Sequence, residues 1–235
     1  MNAPATIAAS FTGFGPAVTD WFVALANDNS RAYWAATKDV WQRDVRAPLE
    51  DLLEEVAAEG GERPKLFRPH RDLRFARDAG PLKSATGGYV PNADRSPAVR
   101  YVELSARGLM AATGYHQLAA DQLERYRAAA AGPAAPALAR ALEAVRAAGL
   151  EVGGNRLKTT PRGVPRDHPH AALLRHKSLT VAAWMPPGDA LETREPLEFA
   201  VGTWAAAEPV VAWLDRNVGV SRLDPDEVRG RGRRR

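Results

Sequence analysis

From Arg31 to about Ala58 the residues Trp34, Trp41, Val45, Leu49, Leu52, Leu53 and Val56 fall at helical spacing, with Thr37 on the same stripe. An apolar stripe of this length has to be covered by a second layer of the fold. Pro48 lies inside it. Proline has no N–H to donate and its ring crowds the preceding turn, so a kink or break is expected near Arg46–Ala47. Gly60 and Gly61 mark the end of the helix. The two tryptophans on the stripe read as core residues.

A shorter helix is expected ahead of it. Pro16 suits a first helical turn, and Val18, Trp21, Phe22 and Leu25 share one face. The polar run Asn27 to Ser30 then breaks the chain and offers Asn29 or Ser30 as the next N-cap. Beyond the arginine-rich stretch, residues 84–98 (SATGGYVPNADRSPA) read as a long exposed loop because they are rich in Gly, Pro, Asn and Ser. Val99, Tyr101, Val102 and Leu104 begin two strands around a turn at Ala106–Gly108. Two alanine-rich helices, about 118–131 and 134–148, come next. A helical turn near 170–175, a strand at 178–185 and a last helix at about 195–215 complete the pattern. There is no regular βαβ alternation. The expected class is α+β, a mainly antiparallel sheet covered by helices. The expected organisation is a flexible start over 1–12, a single α+β domain over 13–220 and a basic, disordered tail over 221–235.

Charge narrows the function classes. The formal net charge is +4, but the last seven residues (RGRGRRR) carry five arginines. Without those five charges the body stands at −1, so the basicity belongs to the tail. A Gly/Arg tail lacks apolar content to pack, and would touch nucleic acid or an acidic partner weakly, through phosphate neutralisation. Arginine outnumbers lysine 27 to 5. That bias matches the usage of GC-rich genomes, so spacing and acidic neighbours carry more weight than arginine count. The chain contains no cysteine, which excludes disulfides, thiolate metal sites and a cysteine nucleophile. No apolar run reaches the length of a membrane span, and the N-terminal residues lack the pattern of a signal peptide. A cytoplasmic protein without membrane contact is the expectation.

The phosphate-loop, dinucleotide, zinc-protease and nucleophile-elbow motifs are all missing. Asp167, His168 and His170 offer imidazole and carboxylate, but Pro169 separates the histidines and no third ligand stands at a recognisable spacing. No metal and no cofactor is expected. What remains is KLFRPHRDLRFARDAGPLKS, residues 65–84, with arginines at 68, 71, 74 and 77 and aspartates at 72 and 78. Arginine's planar fork suits a carboxylate or phosphate. As a helix this segment would stack like charges. As a strand it puts Arg68, Asp72 and Arg74 on one face and Arg71 and Arg77 on the other. An ion pair that merely ties a sheet edge contributes little, under about 1 kcal/mol when exposed. A second basic segment, residues 155–169, carries Arg156, Lys158, Arg162 and Arg166 beside Thr159, Thr160 and Gly163. Anion binding is assigned to Arg68, Arg71, Arg74, Lys83, Lys158 and Arg162, and proton handling to Asp72 and His168.

These motifs, with NDNSRAYW before the long helix and LLRHKSL near residue 175, resemble a bacterial conserved hypothetical family, domain of unknown function 2461. Its signature is R-x-x-R-D-x-R-F, then an acidic or Asn residue, a Lys and a Tyr. Arg68, Arg71, Asp72, Arg74, Phe75 and Asp78 match it. Ala79 stands in place of the Lys and Leu82 in place of the Tyr, with Lys83 next to it. The resemblance covers roughly residues 11–215. It implies a single α+β domain and assigns no activity, cofactor or partner. Three functions stay open at this level: binding or processing of an anionic small ligand, an interaction module for nucleic acid or acidic protein using the tail, and a non-catalytic scaffold.

Overall fold

The computed structural model of the chain describes residues 11–58, 62–72, 80–92 and 96–224. Six strands form one antiparallel sheet in the order β1-β2-β3-β4-β6-β5. They are β1 (Lys65–Leu66), β2 (Ala85–Pro91), β3 (Val99–Ser105), β4 (Gly108–Tyr115), β5 (Glu151–Gly153) and β6 (Leu179–Met185). The α-helices are α1 (Val18–Asn27), α2 (Arg31–Val40), α3 (Ala47–Ala58), α4 (Ala120–Ala131), α5 (Ala135–Ala147), α6 (Ala171–Leu174) and α7 (Glu195–Asn217). The class is α+β, as the order of sequence patterns implies. Among the described residues no helix is long and apolar enough to cross a membrane.

The chain divides into two compact units. The first takes residues 1–93, 100–111 and 184–202, and the second takes residues 94–99, 112–183 and 203–235.

In the first unit α1 buries Val18, Trp21, Phe22 and Leu25, the face its spacing marked out. Ser30 caps α2 by accepting the Tyr33 N–H at 3.0 Å. The long stripe folds as one helical run in which a π-helical segment, Trp41–Arg46, joins α2 to α3. Pro48 supplies the reason. It has no N–H for the Asp44 carbonyl four residues back, and that carbonyl instead accepts from Gly15 N at 3.0 Å. Gly15 has to be glycine there, because a Cβ would sit 2.3 Å from Asp44 Oδ1. The Asp44 carboxylate is buried and takes two bonds from Arg43, at 2.6 and 2.8 Å. Below the kink Leu49, Leu52, Leu53 and Val56 are fully or almost fully buried. Each such side chain contributes about 1.5–3 kcal/mol.

The stretch 84–98, expected as a loop, is a strand over most of its first half. Its glycines belong to the packing rather than to a turn. A Cβ at Gly88 would lie 2.6 Å from Leu53 Cδ1, and one at Gly87 would lie 2.6 Å from the Val102 carbonyl. Only glycine lets β2 approach α3 and β3 this closely.

The second unit is built on Tyr115, Tyr126, Leu138, Leu142, Val145, Leu174, Leu179, Val181, Val210 and Leu214. Several of its buried polar groups find partners within the unit, whereas Arg127 Nε is buried without a hydrogen-bond partner among the described residues. Tyr126 donates to the Leu173 carbonyl at 3.0 Å, and Tyr115 and Ser96 both donate to Asp215 Oδ1, at 2.7 and 2.6 Å.

Candidate functional site

The chain extends β1 through Phe67 to Asp72, and residues 80–84 run back alongside it. Phe67 N donates to the Gly87 carbonyl at 2.9 Å, Lys83 N to Pro69 at 2.8 Å and Arg71 N to Pro81 at 2.8 Å. His70 and Leu82 face each other as an antiparallel bridge. Two of the acceptors are prolines, which cannot return a bond, so this ladder is held by single bonds where an ordinary one has pairs. Asn29 makes up the deficit. Its amide donates to the Leu82 carbonyl at 2.9 Å and its oxygen accepts the Leu82 N–H at 3.0 Å, as a neighbouring strand residue would. Leu82, the position where the resemblance places a tyrosine, is fully buried.

This geometry distributes the candidate residues. His70 and Asp72 share one face by alternation, and the His70 ring meets Trp34 edge-on, with centroids 5.3 Å apart. Arg68 and Asp72 are exposed. Arg71 and Lys83 lie on the opposite face as diagonal cross-strand neighbours, both half-buried. Among the described residues no carboxylate pairs with either of them. The Lys83 ammonium lies 5.6 Å from the Phe67 ring centroid. Arg74, together with Arg77, Phe75, Asp78 and Ala79, falls outside the described residues.

The second basic segment lies in the second unit, whereas Arg68, Arg71, Asp72 and Lys83 lie in the first. Lys158 and Arg162 are exposed. His168 is half-buried and its Nδ1 accepts from His170 N at 3.0 Å. A proton acceptor already so engaged is held in place by its own loop.

The residue that sequence reasoning passed over here is His176. It is fully buried and bridges to Arg156, with Arg156 Nε and Nη2 at 3.0 and 2.6 Å from its Nε2. A guanidinium only donates, so Nε2 is the acceptor and Nδ1 carries the proton, donating to the Ser178 carbonyl at 3.1 Å. Burial first, then the Arg156 charge, lower its pKa to about 4, with Arg146 and Arg175 adding to the effect. His176 is therefore a neutral structural imidazole at neutral pH. Among the described residues no three metal-ligating side chains gather.

The fold and this site define an antiparallel α+β protein with a proline-bounded strand pair that presents neighbouring cations, with no carboxylate partner among the described residues. The chain belongs to the conserved hypothetical protein family DUF2461, which matches residues 17–213. No curated protein matches it.

Proposed function

We propose that the protein binds a small ligand bearing a phosphate or carboxylate, held by Arg71 and Lys83 on the outer face of the Phe67–Asp72 ladder. One observation carries the proposal. Two like charges sit as diagonal neighbours, half-buried, with no carboxylate between them among the described residues. Such a pair is destabilising in isolation and is relieved by an anion. Arg68, exposed and of the same strand parity as His70 and Asp72, stands outside this pair. Asp72 lies on the opposite face with His70 by alternation, so its candidate proton-handling role stands apart from the Arg71–Lys83 pair.

The test is thermal unfolding with and without millimolar pyrophosphate, for wild type and for an Arg71→Gln, Lys83→Gln double variant. A ligand at a hundred times its Kd stabilises the folded state by about 2.7 kcal/mol. Wild type should show a concentration-dependent rise in Tm that the double variant lacks. Equal shifts in both proteins would remove Arg71 and Lys83 from any anion site.

A further inference from the structure

Next to Arg71 and Lys83 the same sheet face carries an aromatic cluster that the anion site alone does not use. Phe67 is 41% exposed, which is unusual for a phenylalanine in a folded chain. Its ring centroid lies 5.9 Å from Tyr89 and 6.2 Å from Tyr101, with interplanar angles of 46° and 47°. The cations sit on these rings, Lys83 over Phe67 at 5.6 Å and Lys65 over Tyr89 at 5.7 Å. Register explains the grouping. Lys65 is paired with Tyr89, and Phe67 bonds to Gly87 in the next step of the ladder. Gly87 leaves the floor beside Phe67 bare, and a Cβ there would be 3.1 Å from the Tyr101 hydroxyl.

An aromatic ring laid across a strand glycine protects that glycine, and this accounts for Phe67 alone. It does not account for two further rings, nor for two lysines drawn to the ring faces. Glu103 is an acid beside this cluster, and it accepts from the Tyr101 hydroxyl at 2.6 Å. A carboxylate accepts several hydrogen bonds, so Glu103 keeps capacity for a donor from a ligand.

We infer that the ligand is a nucleoside phosphate: its base stacks on Phe67 beside Tyr89 and Tyr101, its phosphates meet Lys83, Arg71 and Lys65, and Glu103 accepts from a ribose hydroxyl or an exocyclic amine. The inference rests on the anion site proposed above and adds the chemistry of the rest of the ligand. The stacking base takes the place of the Lys83 ammonium on the Phe67 ring. That contact is weak at an exposed site, and its loss leaves Nζ directed at the phosphates. Every base has a π-face, so stacking accounts for affinity without selecting one base.

Calorimetric titration of the whole chain with ADP and with pyrophosphate separates the two ideas. Phe67→Ala should weaken ADP by about tenfold, the loss typical of removing one stacking ring. It should leave pyrophosphate binding unchanged, and Phe67→Trp should restore ADP binding with quenching of the new indole's fluorescence. If Phe67→Ala leaves ADP binding intact while the Arg71→Gln, Lys83→Gln variant loses both ligands, the platform is refuted and the anion site stands. If that double variant loses neither ligand, or wild type binds neither, both are refuted. A short single-stranded oligothymidylate that binds more than tenfold tighter than ADP would replace the small nucleotide with a nucleic-acid strand and overturn the assignment.

Discussion

Acidification from pH 7 to pH 5 should destabilise this protein through one imidazole. His176 is fully buried, and its proton-accepting nitrogen faces the Arg156 guanidinium. Protonation in the folded state would put a positive charge on a fully buried ring against the Arg156 guanidinium, and its pKa is accordingly lowered from 6.5 to about 4. In the unfolded chain the ring takes its proton at the ordinary value. A base with a lowered native pKa contributes nothing to pH dependence above that ordinary value. Below it the unfolded state binds a proton that the native state refuses, so stability falls with pH until about pH 4 and is then level. Between pH 7 and pH 5 the loss from this residue is about 2 kcal/mol, and over the whole span about 3 kcal/mol.

Urea unfolding at pH 7, 6 and 5 measures this directly. The stability held by Glu55 and Asp121, whose pKa values are both lowered by their partners, is lost mainly below pH 5, as their unfolded-state carboxylates protonate. His176→Asn keeps a donor for the Ser178 carbonyl and removes the titration. Its stability should be lower at pH 7 and should change by about 2 kcal/mol less than wild type on going to pH 5. Arg156→Met removes the nearest charge and should shrink the pH-dependent loss while leaving the part due to burial. Parallel pH profiles for wild type and His176→Asn would refute the neutral, arginine-facing imidazole.

Two further perturbations probe the supports of the candidate site. Asn29→Ala deletes both bonds to Leu82 and leaves its N–H and carbonyl without that partner, so denaturant unfolding should show a loss of about 2 kcal/mol. Asn29→Asp, which keeps the acceptor alone, should fall between. Gly88→Ala drives a methyl to 2.6 Å from Leu53 Cδ1 and 2.9 Å from the Lys65 carbonyl, and should cost about 1–3 kcal/mol by the same assay. A neutral effect there would contradict the close β2–α3 approach.

The helices and the α+β class were legible because apolar spacing records which face is covered. Val18, Trp21, Phe22 and Leu25 mark the buried face of α1 without any tertiary information. Pro48 likewise announces a break, although it cannot announce that the break is a π-helical segment whose freed carbonyl is taken by Gly15. β2 was missed because glycine signals a turn in local sequence, whereas here it is demanded by Leu53 and Val102, distant in the chain. The candidate site was legible in its residue types and in the alternation that separates Arg71 from Asp72. Asn29 was visible only as a possible cap, and nothing local reveals that it serves as a strand partner for Leu82. His176 lies in a motif noted for its resemblance, yet its burial against Arg156 is a tertiary fact. The three aromatics of the sheet face are spread over β2, β3 and the end of β1, so no window of sequence contains them together.

Titrating pyrophosphate into isotope-labelled protein, followed by backbone amide NMR, reports on the anion site most directly. If Arg71 and Lys83 hold the anion, shifts saturate with ligand, centre on residues 67–72 and 80–85, weaken with added salt and vanish in the Arg71→Gln, Lys83→Gln variant. Shifts that centre on residues 156–168, or that persist unchanged in that variant, would contradict an anion site on this ladder.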